Sequence, residues 1–93
     1  MPTGTVQESE ERVKFEALVE VRLRPGISDP QGATIERALP ALGFDGVTDV
    51  RVGKSVRFVL EASDEAAARE TSAAVTDRLL ANPVIEEAEV HLL

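Results

Sequence analysis

An α+β domain with the element order β-α-β-β-α-β follows from three features of this sequence. Apolar and polar residues alternate through FEALVEVRLR and again through VIEEAEVHLL, which is the period of a half-buried strand. Ile35, Ala38, Leu39 and Leu42 recur at helical spacing, and a long alanine-rich stretch follows further on. Between them, VTDVRVGKSVRFVLEA reads as two strands joined at Gly53-Lys54, a pair that suits a two-residue hairpin with glycine at the positive φ of a type II′ turn.

Residues 1–14 are polar, carry an acidic cluster and lack an apolar period, so they are expected to be a flexible tail ahead of a single domain over 15–93. The first strand places Phe15, Ala17, Val19, Val21 and Leu23 on one face and Glu16, Leu18, Glu20, Arg22 and Arg24 on the other. Pro25-Gly26 ends it. The first helix opens with Ser28 and Asp29 as cap residues and Pro30 at the first helical position, where a missing N–H costs nothing. Gly32 then sits in the first turn, at a loss of roughly 0.5–1 kcal/mol relative to Ala. Either it packs locally or another backbone approaches it. Pro40 interrupts the helical pattern, so the last turn is expected to be distorted or released, with Gly43 as the stop.

In the predicted hairpin, Val50 and Val52 share a side, as do Val56, Phe58 and Leu60 on the partner strand. The second helix is expected from an N-cap at Ser63 to about Ala81, with Ala67, Ala68, Thr71, Ala74, Val75 and Leu79 as its packing stripe. Asn82-Pro83 ends it before the last strand. Right-handed crossovers then favour a four-stranded, mainly antiparallel sheet with two helices on one face, a ferredoxin-like arrangement. The open face should carry Leu18 and Val59 among Glu16, Glu20, Arg22, Arg57, Glu87 and Glu89.

Composition excludes several functions. The net charge is −7, from 17 acidic and 10 basic side chains, and such a field repels nucleic acid and anionic membrane surfaces. Absence of Trp and Tyr removes stacking platforms for single strands. No apolar run approaches the ~20 residues that span a bilayer. Without Cys there is no disulfide, thiolate metal site or cysteine nucleophile, which fits a cytoplasmic chain. His91 is the only histidine, so no second histidine or thiol can join it in a zinc site, and its neighbours Glu87 and Glu89 read as a solvated strand face. No catalytic residue and no metal site are expected.

Two places remain as candidate docking surfaces. Arg51, Lys54 and Arg57 make the hairpin a basic patch on an acidic protein, suited to an acidic partner surface. The Asp29-Pro30-Gln31-Gly32 helix start is either a plain capped start or a point of close approach by another chain.

Three segments together, ISDPQGATIERAL, VTDVRVGKSVRFVLEA and LLANPVIE, resemble the PurS family, small subunits of phosphoribosylformylglycinamidine synthase. The likeness covers about residues 15 to 90 in order and spacing. It implies a ferredoxin-like, PurS-like fold and a noncatalytic role in de novo purine biosynthesis. Such a subunit bridges a PurL-type ATP-dependent synthase and a PurQ-type glutaminase, supports ammonia transfer, and forms a homodimer or higher oligomer. It implies no cofactor bound by this chain, with ATP, magnesium and glutamine used by the complex. Carried over by position, the motif marks Asp29, Pro30, Gln31, Gly32, Gly53, Lys54, Asn82 and Pro83. Asp29, Gln31, Gly32, Arg51, Gly53, Lys54, Arg57 and Asn82 are therefore the candidate partner-binding residues. The N-terminal tail and Pro40 depart from the family pattern. The rival from another class is a stand-alone regulatory module binding a small metabolite, as ACT domains do, which would need a polar pocket at a helix–strand junction.

Overall fold

The computed structural model describes residues 12–93. Its strands are β1 (Val13–Leu23), β2 (Lys54–Ala62) and β3 (Glu86–Leu92), and its helices are α1 (Pro30–Ala38) and α2 (Glu65–Val75). Each helix is extended by a short turn of different pitch, a 3-10 turn over Pro40–Leu42 and a wider π turn over Thr76–Leu80. β1 starts at Val13, so two residues assigned to the tail join the strand; residues 1–11 lie outside the described residues.

The strands form one antiparallel sheet in the order β2-β1-β3, with Val19 opposite Val56 on one side and Val90 on the other. β1 takes the centre because its alternation is the most complete: Ala17, Val19 and Val21 are buried on the face covered by α2. Among the described residues, with Ala62 and Ala68 they make up the buried apolar core, in which Val19 is the largest fully buried side chain.

The expected fourth strand is not seen among the described residues. Residues 47–53 run without ladder pairing, and Lys54 opens β2 opposite Val21 instead of closing a hairpin. Nor does Gly53 take positive φ; Gly26, Gly43 and Gly46 do. The reason lies in the backbone donors. Val50 N–H donates to Glu36 Oε1 at 3.1 Å and Val52 N–H to Asp29 Oδ2 at 2.8 Å, so α1 carboxylates take hydrogen bonds that a strand would give to a neighbour. Within this segment, Asp49 adopts φ 60°, a left-handed conformation that Asp tolerates better than most residues.

The expectation of both helices packed on one sheet face is also corrected. α2 lies on the sheet, whereas α1 buries only Gly32 and leaves Ile35 and Leu42 exposed, at 45% and 69%. Its anchoring comes from Asp29 and Glu36 against residues 50–52, not from its apolar stripe. Pro40 releases the helix as its chemistry requires. It starts the 3-10 turn, which closes with Gly43 N–H donating to Pro40 O at 3.0 Å and Gly43 at φ 92°.

α2 is capped by Asp64, one residue after the expected Ser63: Asp64 Oδ1 accepts the Ala67 N–H at 2.8 Å. Its buried line is Ala68, Ser72 and Thr76, at i, i+4, i+8, while the expected Thr71, Ala74 and Leu79 are exposed. Past Val75 the wider turn inserts one residue, and Ala81 N–H donates to Thr76 O at 3.0 Å. Leu80 thereby takes the inward position and Leu79 swings out to 80% exposure. Among the described residues, no helix is long and apolar enough to cross a membrane.

Candidate functional site

The start of α1 answers why a glycine stands in a helical first turn. Asp29 caps the helix through Oδ1, which accepts the Gly32 N–H at 2.9 Å, while Oδ2 reaches outward to the Val52 N–H. One carboxylate thus joins two segments 23 residues apart in sequence. That brings the Val50 carbonyl over the helix start, and a Cβ on Gly32 would collide with Val50 O and lie 2.7 Å from Asp29 Oδ2. Close backbone approach is therefore the reason for Gly32, and the neighbour is the chain's own 47–53 segment. Gly53 follows the same logic, since a Cβ there would stand 2.6 Å from Val21 O of β1.

The hydrogen bonds have an electrostatic signature. The Gly32 N–H first and the Val52 N–H second hold the Asp29 carboxyl below the usual carboxylate range; Arg51 adds to this and partial desolvation opposes it. Asp29 is thus anionic at neutral pH and committed to the fold.

Beside this junction, Asp29, Pro30, Gln31, Gly53, Lys54 and Glu86 line a cleft of about 260 Å³ floored by Val21–Leu23 of β1. Four of the sequence-predicted residues, Asp29, Gln31, Gly53 and Lys54, meet here, with Gly32 directly behind. Arg51 lines a neighbouring depression with Asp49, Arg22 and Glu87. Arg57 is not with them. It faces the open side of the sheet, opposite to Lys54 on the pleat, and its Nη1 lies 3.3 Å from Glu16 Oε2. The three cations of the supposed hairpin patch therefore serve different surfaces.

Asn82 is also elsewhere, shaping the exit from α2. Its Oδ1 accepts the Val84 N–H at 3.0 Å, its carbonyl accepts the Glu86 N–H at 2.7 Å, and its own N–H donates to Glu86 Oε1 at 2.7 Å. Arg24 locks this turn to the end of β1 by donating from Nη2 and Nε to Pro83 O, at 2.9 and 3.2 Å. Arg24 and Glu36 escaped sequence reasoning because each acts on backbone 14 or 59 residues away. Chemically, the cleft offers the Asp29 carboxylate already bound to two amides, a second carboxylate on Glu86 that accepts the Asn82 N–H, an ammonium and an amide side chain. That set recognises polar surface and holds no nucleophile paired with a base.

Known proteins resemble this chain over most of its length. The family model described as PurS, phosphoribosylformylglycinamidine (FGAM) synthase, matches residues 16–93. The phosphoribosylformylglycinamidine synthase subunit PurS of Mycobacterium leprae is 49% identical over 71 residues, 76% of this chain and 86% of that one. The PurS subunit from Synechocystis is 44% identical over 72 residues, 77% of this chain and 72% of that one. A chain in the structure of PurLQS from Thermotoga maritima superposes with a TM-score of 0.81 at 37% identity, covering 87% of this chain and 99% of that one.

Proposed function

This chain belongs to the PurS family of phosphoribosylformylglycinamidine synthase subunits, and from that membership we infer how it serves the complex. It is a subunit of an ATP-dependent ligase complex of purine biosynthesis, works with PurL and PurQ, and is not catalytic by itself. Its task is to bridge the glutaminase and the synthase so that ammonia released by one reaches the other. ATP, magnesium and glutamine are held by those larger subunits. The setting is the cytoplasm.

The observation that carries this reading is the match to a chain of the three-subunit PurLQS structure over nearly that chain's whole length. The thin core supports it. Phe44, Val59, Leu79 and Val84 stand uncovered, and a protomer with five buried apolar residues among those described, two of them larger than alanine, gains stability from being covered. Self-association and the partner subunits supply that cover. The cleft at Asp29, Gln31 and Lys54 is the polar part of the docking surface, with Gly32 and Gly53 fixing its walls.

Reconstitution tests the reading. PurL- and PurQ-type subunits mixed with this chain should form one species by light scattering, and glutamine-dependent FGAM formation should require all three. Ammonia-dependent formation should depend far less on this chain. Equal glutamine-dependent rates with and without it would overturn the bridging role, and turnover by the purified chain alone would overturn the noncatalytic assignment.

A further inference from the structure

We propose that Glu20, Glu89 and His91 form a binding site for a divalent transition metal of the zinc class on the open face of the sheet. Glu20 of β1 stands directly opposite Glu89 of β3, and His91 follows two positions on, on the same face. Two carboxylates placed opposite each other across an antiparallel pair repel, so the ladder carries a local cost that a cation removes. The nearest arginine and the His91 ring, which is within hydrogen-bond reach of Glu20, offset it in part. Arg22 Nη1 is 3.8 Å from Glu89 Oε1, and the same guanidinium lies closer to Glu87, at 3.4 Å.

The distances suit a metal. His91 Nε2 lies 3.3 Å from Glu20 Oε1 and 3.6 Å from Glu89 Oε1, and one ligand atom from each residue falls within 4.8 Å of the others. Zinc bonds to imidazole nitrogen and carboxylate oxygen of about 2.0–2.2 Å set ligand atoms about 3.3–3.6 Å apart at a tetrahedral centre. The two histidine–carboxylate separations already have that length. The carboxylates close the remaining gap by rotating exposed side chains on fixed strands. Imidazole selects for the zinc class over magnesium and calcium, which prefer oxygen-only shells. All three residues are exposed, so water completes the coordination and exchange is open. Bound metal ties β3 to β1. This site rests on strand register and donor chemistry, independently of the role in the synthase complex.

The test is calorimetric titration of the full chain with Zn²⁺ alone, in a buffer that does not chelate, with NMR of the His91 ring. His91 is the only histidine, so its ring signals are unambiguous. The expected result is one saturable site per chain, a shifted His91 ring and a higher melting temperature with Zn²⁺. His91→Gln and the double variant Glu20→Gln/Glu89→Gln should each lose more than about tenfold in affinity, the least that removing even an outer-shell partner costs. Circular dichroism confirms that both variants fold, and Glu65→Gln on α2 serves as the unaffected control. An unmoved His91 ring, equal affinity in His91→Gln, or equal binding of Mg²⁺ would each overturn the proposal.

Discussion

Asp29 and Val52 are joined by a hydrogen bond of 2.8 Å from the valine N–H to the aspartate Oδ2, and the same carboxylate caps α1 at Gly32. This single side chain replaces a strand pairing. Asp29→Asn should keep one of the two bonds and Asp29→Ala neither, so the melting temperature should fall in that order. Faster hydrogen exchange at Gly32 and Val52, the two amides Asp29 holds, should accompany it.

The same carboxylate gives stability a pH signature. Its folded pKa is depressed by the Gly32 and Val52 amides, so its contribution is fully present above the unfolded carboxylate value and is lost as pH falls through the lower folded value. Urea unfolding of the protein and of Asp29→Asn at about pH 7 and about pH 3 should show the stability gap shrinking in acid.

Gly32→Val places side-chain atoms where the Val50 carbonyl already lies. It should destabilise the chain by about 1–3 kcal/mol, the usual cost of overpacking. Catalytic constants of a reconstituted complex should change only as far as assembly does.

Ser72 is fully buried on the inward side of α2, and its Oγ has no hydrogen-bond partner. Ser72→Ala removes an unsatisfied hydroxyl and improves helix propensity, so it should raise stability by about 1–2 kcal/mol in denaturant unfolding. A loss of stability would show that the hydroxyl is satisfied in solution.

Lys54 supplies the ammonium of the cleft beside Asp29 and Gln31. Lys54→Glu should weaken binding to the partner subunits in calorimetry while the melting temperature stays within the range of ordinary surface changes, roughly ±0.5 kcal/mol in stability.

Much of this fold could be read from alternation alone. β1 and β3 were legible because Phe15 to Leu23 and Glu86 to Leu92 alternate apolar and polar residues, broken only at Leu18 and Glu86. Val50, Arg51 and Val52 alternate in the same way and are not in a strand, since Asp29 and Glu36 compete for these amides from α1, and no local pattern encodes that competition. In α2, apolarity pointed to Leu79, but the π turn shifts the register by one residue and brings Leu80 inward. At the cleft, the Asp-Pro-Gln-Gly signature pointed to Asp29, Pro30 and Gln31, which line it together. The partner that Gly32 accommodates became visible only in three dimensions. Arg57 was grouped with Lys54 by proximity in sequence, although strand pleating sends the two to opposite faces.

The central position of β1 also governs the order of folding. The first strand described must pair with the last, Val19 with Val90, and with β2 across the whole of α1 and the 47–53 segment. Every ladder in the sheet is therefore a long-range closure, and a chain emerging from the ribosome holds β1 half-paired until its final strand is released. Deleting Glu86–Leu92 would remove more than an edge. It would leave the strand that carries most of the core exposed along one side, making nascent or truncated chains prone to sticking together before any partner subunit is met.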